Sequence, residues 1–230
     1  MTAASSAHDA TGPLAQLRAS LSPATALSVD SLPLAAASFV GVAGSLFSFN
    51  VLAGGIAASA AAGGFAGDPA ALLLPDLHFG YAPDEVATLL GAYGHEGRLQ
   101  YLAVEALDVS LYHTSYRALF LVLLNRVTAV LAAAQWVPEG LRAPLRSSAR
   151  APLLVAALDG LEDVGQVALT LACDVGATGA PWWPALTAAS SAFNVAKWTC
   201  VRTFSPLALL MCIAAAATSL RGGDSREQQQ

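Results

Sequence analysis

Between Asp30 and Asp68 the chain runs for 37 residues without a formal charge. That is well beyond the roughly 18 apolar residues that make a helix a candidate to cross a bilayer. The core of this run, 34–60, predicts a first membrane span. Within it Ala37, Gly41 and Ser45 fall four apart, a small-residue stripe against which another helix can pack closely. The pattern then changes. Residues 68–100 carry Asp68, Asp76, Asp84, Glu85 and Glu96 and read as a polar connection. Inside it, Pro83 followed by Asp84 and Glu85 starts a helix, with proline in the first turn and acids near the positive end of the dipole. Val86, Leu89, Leu90 and Tyr93 follow at helical spacing and Gly94 can end the run. This predicts a short amphipathic helix on the membrane surface, between spans one and two.

Three less uniform apolar stretches follow, at 105–136, 152–173 and 186–220. Arg117 and Arg126 interrupt the first, which ends at Trp136 and Pro138 as an interfacial terminus does. The second contains Asp159, Glu162 and Asp163. The third is approached through Lys197 and Arg202 and then runs uncharged from Thr203 to Leu220, through Pro206, which should kink it. The predicted fold class is therefore all-α: a polytopic membrane protein, a four-transmembrane-helix bundle over residues 33–220. Residues 1–32, rich in Ala, Ser and Thr, read as a disordered tail or targeting segment, and 221–230 as a disordered tail. Residues 138–151 read as a basic loop.

Composition strengthens the membrane reading. The chain is 55% hydrophobic and 12% charged, against about 25% charged residues in a soluble domain. Its net charge of −5 and lack of a basic patch exclude electrostatic support for nucleic-acid binding. Cys173, Cys200 and Cys212 are odd in number and have no close spacing, which argues against a disulfide framework or a zinc site. No catalytic, metal or nucleotide motif stands out, and nothing points to a cofactor. The expected partners are the lipid bilayer and, in a larger assembly, other membrane subunits. Orientation follows from the short segments. Arg18, Arg142, Arg146, Arg150, Arg221 and Arg226 share one side under four spans, and only Arg98 lies opposite. By the positive-inside rule both termini sit on the same cytosolic, matrix or stromal side.

The charges inside the spans carry the candidate chemistry. Asp159, Glu162, Asp163 and Gln166 fall at i, i+3, i+4 and i+7, one stripe of a helix. An acid at a span centre costs about 2.5–3.5 kcal/mol on insertion scales, so this stripe should face the bundle. Four acids (Asp108, Asp159, Glu162, Asp163) are balanced by four bases (Arg117, Arg126, Lys197, Arg202). Counting residues from the ends of spans two and three puts Arg126 level with Asp159, which predicts that Arg126 pairs with Asp159 or Asp163. Lys197 and Asp108 are expected near the outer ends of their helices, where they can meet. Asp108, Tyr112, Ser115 and Arg126 share a stripe, and Tyr112, His113 and Tyr116 add hydrogen-bonding groups near the outer mouth. His113 by itself reads as a packed or interfacial histidine.

A short set of motifs resembles a family of small four-helix membrane proteins. They are Gly80-Tyr81 with Asp84-Glu85, Leu89-Leu90, Gly94, Gly97-Arg98 and Tyr101, then Asp108 with Tyr112 or Tyr116, Asp159 with Glu162 and Asp163, and Lys197-Trp198. The chain departs from that pattern at Leu111-Tyr112, near which the family has a proline. The resemblance implies four helices and weight on these charges, and it implies no reaction. Three functional readings follow. The first is a non-catalytic accessory or structural component of a membrane assembly. The second is a carrier or binding protein for a proton, an ion or a small lipid-like molecule, using the charged cluster. The third, weakest, is a membrane enzyme in which Asp159 works with Glu162 or Asp163, assisted by Tyr112 or His113. Buried ion pairs can also serve structure alone, by fixing helix register.

Overall fold

The computed structural model describes residues 32–67 and 74–227, and all regular structure among them is helical. The tail or targeting segment expected over 1–32 lies outside the described residues except at Leu32, as do Asp68 and residues 228–230. Helix α1 (Leu32–Ala62) is followed, after a 3-10 turn at Pro75–Leu77, by α2 (Pro83–Leu107). A π-helical turn, Asp108–Tyr112, joins α2 directly to α3 (His113–Ala133). Then come α4 (Glu139–Ser148), α5 (Ala151–Asp174) and α6 (Trp183–Glu227).

Three stretches are long and apolar enough to cross a membrane: Pro33–Ala62, the continuous Pro83–Ala133 and Trp183–Thr218. Their outward faces are apolar, with Phe39, Val40, Phe47 and Val51 exposed on α1 and Leu207, Leu209, Leu210 and Ile213 on α6. In water such a surface would be an association site; against hydrocarbon it is what a multi-pass membrane protein presents. Three acids keep α5 out of that set, although its 24 residues extend about 36 Å.

The helices pack closely where side chains are small. A Cβ on Gly41 would lie 2.1 Å from Ser115 Oγ, and Ser45 is fully buried. The small-residue stripe of α1 thus brings it onto α3, while Ala37, its third member, stays exposed. At the other end of α1, Ile56 joins Leu90, Tyr93, Tyr101 and Leu169 in the main apolar core.

Several elements differ from their sequence expectation. The short surface helix predicted from Pro83 to Gly94 is the first half of a bundle helix. Its apolar period faces α1 and α5 rather than headgroups, with Leu90, Tyr93 and Tyr101 completely buried. Gly94 bends the helix instead of ending it, at φ +67° and ψ −180°, a conformation open essentially to glycine. Two carbonyls beside the bend are held by side chains: Ser59 Oγ donates to Tyr93 O at 2.9 Å and Arg98 Nη1 to Leu90 O at 3.1 Å. The basic loop over 138–151 is the helix α4, whose Leu145 packs against Leu131 on α3. Helix α6 runs on through Pro206 to Glu227; of the disordered tail expected over 221–230, residues 221–227 are helical and 228–230 lie outside the described residues.

Candidate functional site

Two polar stripes meet where α5 crosses α6. On α5, Asp159, Glu162, Asp163, Gln166 and Thr170 are buried, as the i, i+3, i+4, i+7 spacing requires. On α6, Thr187, Ser190, Asn194 and Lys197 repeat the same helical spacing and are also buried. Gly165 allows the approach, because a Cβ there would fall 2.5 Å from Ser190 Oγ. Ser190 Oγ donates to the Glu162 carbonyl at 3.2 Å, and Asn194 Nδ2 donates to Glu162 Oε1 at 2.6 Å. Lys197 Nζ bridges Asp159 Oδ1 at 2.8 Å and Glu162 Oε2 at 2.5 Å.

The π-helical turn supplies the third wall. In a regular α-helix residues five apart diverge by about 140°. Here the His113 N–H bonds to the Asp108 carbonyl, an i→i+5 link that stacks the two side chains. His113 Nε2 consequently lies 3.3 Å from Asp108 Oδ1, 2.7 Å from Asp159 Oδ2 and 3.3 Å from Asp163 Oδ2. Tyr116 OH donates to Asp159 Oδ2 at 3.1 Å. One turn before Asp108 on α2, Glu105 is also buried.

Residues 74–82, just ahead of α2, enter the bundle instead of lying outside it as part of a polar connection. Asn194 Oδ1 accepts from the Gly80 N–H at 2.9 Å, and the Asp76 carbonyl accepts from Asn194 Nδ2 at 3.0 Å and Trp198 Nε1 at 2.9 Å. Asn194 is roughly 16 Å along α6 from Trp183, so the segment reaches deep. Irregular backbone at such depth is tolerated when protein satisfies its polar groups, and these side chains do so.

The structure gathers Asp108, His113, Asp159, Glu162, Asp163 and Lys197 and leaves the other candidates apart. It is Lys197 and His113, not Arg126, that lie against Asp159. Counting depth from the loop misleads because α4 folds back along α3. Ala151 therefore opens α5 beside Leu124, roughly 13 Å above the end of α3 at Ala133. Lys197 does not meet Asp108 at the outer ends of the helices; α6 begins at Trp183, and Lys197 pairs in mid-bundle with α5. Arg117 and Arg202 are exposed, Arg202 with its guanidinium 4.3 Å from the Phe79 ring centroid. Of the four bases, Lys197 is the one that pairs with the α5 acids Asp159 and Glu162. Tyr112 packs against Phe49 and Tyr116, with ring centroids 5.6 and 5.1 Å away.

Beside the cluster lies a cavity of about 640 Å³ between α1, α3, α5 and α6. Phe49, Phe120, Phe204 and Trp198 contribute to its apolar wall, and Asp108, Asp159 and Lys197 form its polar end. Reading the sequence alone overlooks Glu105, Ser190 and Asn194. The Thr187–Ser190–Asn194–Lys197 spacing is a signal for the last two. No family model, curated protein or solved structure matches the chain.

Proposed function

We propose that this chain is a four-span membrane protein that binds a small amphipathic, lipid-like molecule within its bundle. The observation that carries this reading is the cavity of about 640 Å³ with aromatic walls and a charged end. That volume falls within the roughly 300–1,000 Å³ of small-molecule sites, which pair an apolar lining with a few convergent polar groups. An apolar tail fits against Phe49, Phe120 and Phe204, and a polar head group reaches Lys197 and Asp159.

Four spans are supported by the two-faced character of α5. Asp159, Glu162 and Asp163 point inward while Leu153, Leu154, Leu161, Val164 and Leu171 are exposed, so the helix offers hydrocarbon an apolar surface. The first half of α2 also meets the α5–α6 turn, through Arg98 to Asp174 at 2.8 Å and Trp183 Nε1 to the Pro83 carbonyl at 3.1 Å. With the loop arginines, this favours both termini on the positively charged side. Of the small-residue stripe on α1, Gly41 packs against Ser115 of α3 and Ser45 is buried within the chain.

The test is photo-crosslinking in native membranes with a diazirine-bearing fatty acid and a diazirine-bearing phospholipid. Labelled peptides should map to the cavity walls on α3 and α6, and Val155→Trp, which fills the cavity from α5, should abolish the labelling. Labelling confined to the exposed faces of α1 and α6, and unchanged in the variant, overturns the reading.

A further inference from the structure

We infer that Asp108, His113 and Asp159, with Asp163 as a fourth donor, bind one divalent first-row transition-metal ion. One ligand atom from each of the first three residues lies within 4.8 Å of the others. Metal–nitrogen and metal–oxygen bonds of about 2.0–2.2 Å put neighbouring donors roughly 3.0–3.5 Å apart in octahedral or tetrahedral coordination. The distances from His113 Nε2 to the three carboxylates, 3.3, 2.7 and 3.3 Å, approximate such edges.

A second observation is independent of this spacing. Asp163 is only 1% exposed, and neither of its carboxylate oxygens has a hydrogen-bond partner. Asp108 Oδ1 is likewise buried without a hydrogen bond. Burying a carboxylate in this state costs several kcal/mol unless a cation or proton arrives. Charge gives the same direction. Glu105, Asp108, Asp159, Glu162 and Asp163 are all buried, against Lys197 and His113. Glu162 is engaged by Lys197 and Asn194, which leaves Asp108, Asp159 and Asp163 around one imidazole.

The supporting groups also fit a metal centre. Lys197 takes Asp159 Oδ1 and leaves Oδ2 turned to His113, where Tyr116 OH steadies it. Outer hydrogen bonds of this kind orient ligating carboxylates. The π-helical turn holds Asp108 over His113, and α5 packs closely on α6 at Gly165 and Ser190. One imidazole with carboxylates and no thiolate suits Zn²⁺, Fe²⁺ or Mn²⁺ better than a soft ion such as Cu⁺. Asp108 and Asp159 also border the cavity, so the ion would be reached from it, but binding does not depend on an occupant there.

The experiment uses the full chain in detergent, stripped with a chelator, delipidated and reloaded with Mn²⁺ or Zn²⁺. Elemental analysis after desalting should give about one ion per chain, with affinity lowered at least about tenfold in His113→Gln and Asp163→Asn, the usual scale for losing part of a metal's shell. Asp174→Asn, a surface carboxylate variant, should bind as the wild type does. Where a cluster variant fails to fold, the wild type decides. Bound Mn²⁺ should show nitrogen hyperfine coupling from one imidazole. Wild-type protein that stays substoichiometric on reloading, that lacks the nitrogen coupling, or whose folded cluster variants retain full binding overturns the site. Lipid labelling is read separately, so failure of the metal site leaves the cavity reading intact.

Discussion

Replacing Lys197 by methionine removes the cation that bridges Asp159 Oδ1 and Glu162 Oε2. Methionine nearly fills the lysine's volume, so the change is one of charge rather than packing. Both carboxylates lose their main counter-ion while buried, Glu162 completely so. Removing one partner of a buried ion pair costs about 3–5 kcal/mol, because the remaining charge is left uncompensated. For a chain of this size each kcal/mol lowers Tm by about 2–4 °C. Lys197→Met should therefore melt about 6–20 °C below the wild type, followed in detergent by size-exclusion fluorescence. The triple variant Lys197→Met, Asp159→Asn, Glu162→Gln removes the stranded charges and should recover most of that loss. A single variant that melts within about 2 °C of the wild type, or a triple variant no better than the single, would refute an electrostatic role for Lys197.

Further outcomes follow from the packing. Gly165→Ala places a Cβ against Ser190 and should cost about 1–3 kcal/mol by overpacking; Ser190→Gly in the same chain should return part of it, and an additive double variant argues against the contact. Gly94→Ala forces alanine into a glycine conformation and should cost about 1–3 kcal/mol in a chemical denaturation series, whereas an unchanged midpoint contradicts the bend. Just past the 152–173 stretch, at the end of α5, His95 and Arg98 hold the Asp174 carboxyl below the ordinary aspartate value. A depressed carboxylate stabilises above its unfolded value of about 3.9 and loses that contribution as pH falls through its folded value. The Tm advantage of wild type over Asp174→Asn should then persist at neutral pH and shrink below about pH 3.9; an advantage independent of pH counts against the contact.

Much of this arrangement is legible in the sequence, and what is hidden has physical causes. The uncharged run of α1 and the acid stripe of α5 are local patterns with a single helical period, and both appear where the period places them. The site is harder to read because it depends on departures from that period. Regular spacing aligns Asp108 with Tyr112, and the π-helical turn shifts the alignment by one residue and brings in His113. Level counting from chain ends fails where α4 climbs back along α3, which gives Asp159 to Lys197 and His113. The segment around Asp76 looks like a polar loop because its partners, Asn194 and Trp198, lie over a hundred residues away. Periodicity cannot reveal a partner at that distance.

The most direct measurement of the central claim is native mass spectrometry of the protein released from membrane vesicles, comparing wild type with Val155→Trp. The wild type should retain a single class of lipid-like adduct at collision energies that strip annular lipid, and the cavity-filled variant should fly without it. A wild type that carries no retained adduct, or a variant that carries the same one, would contradict binding within the bundle.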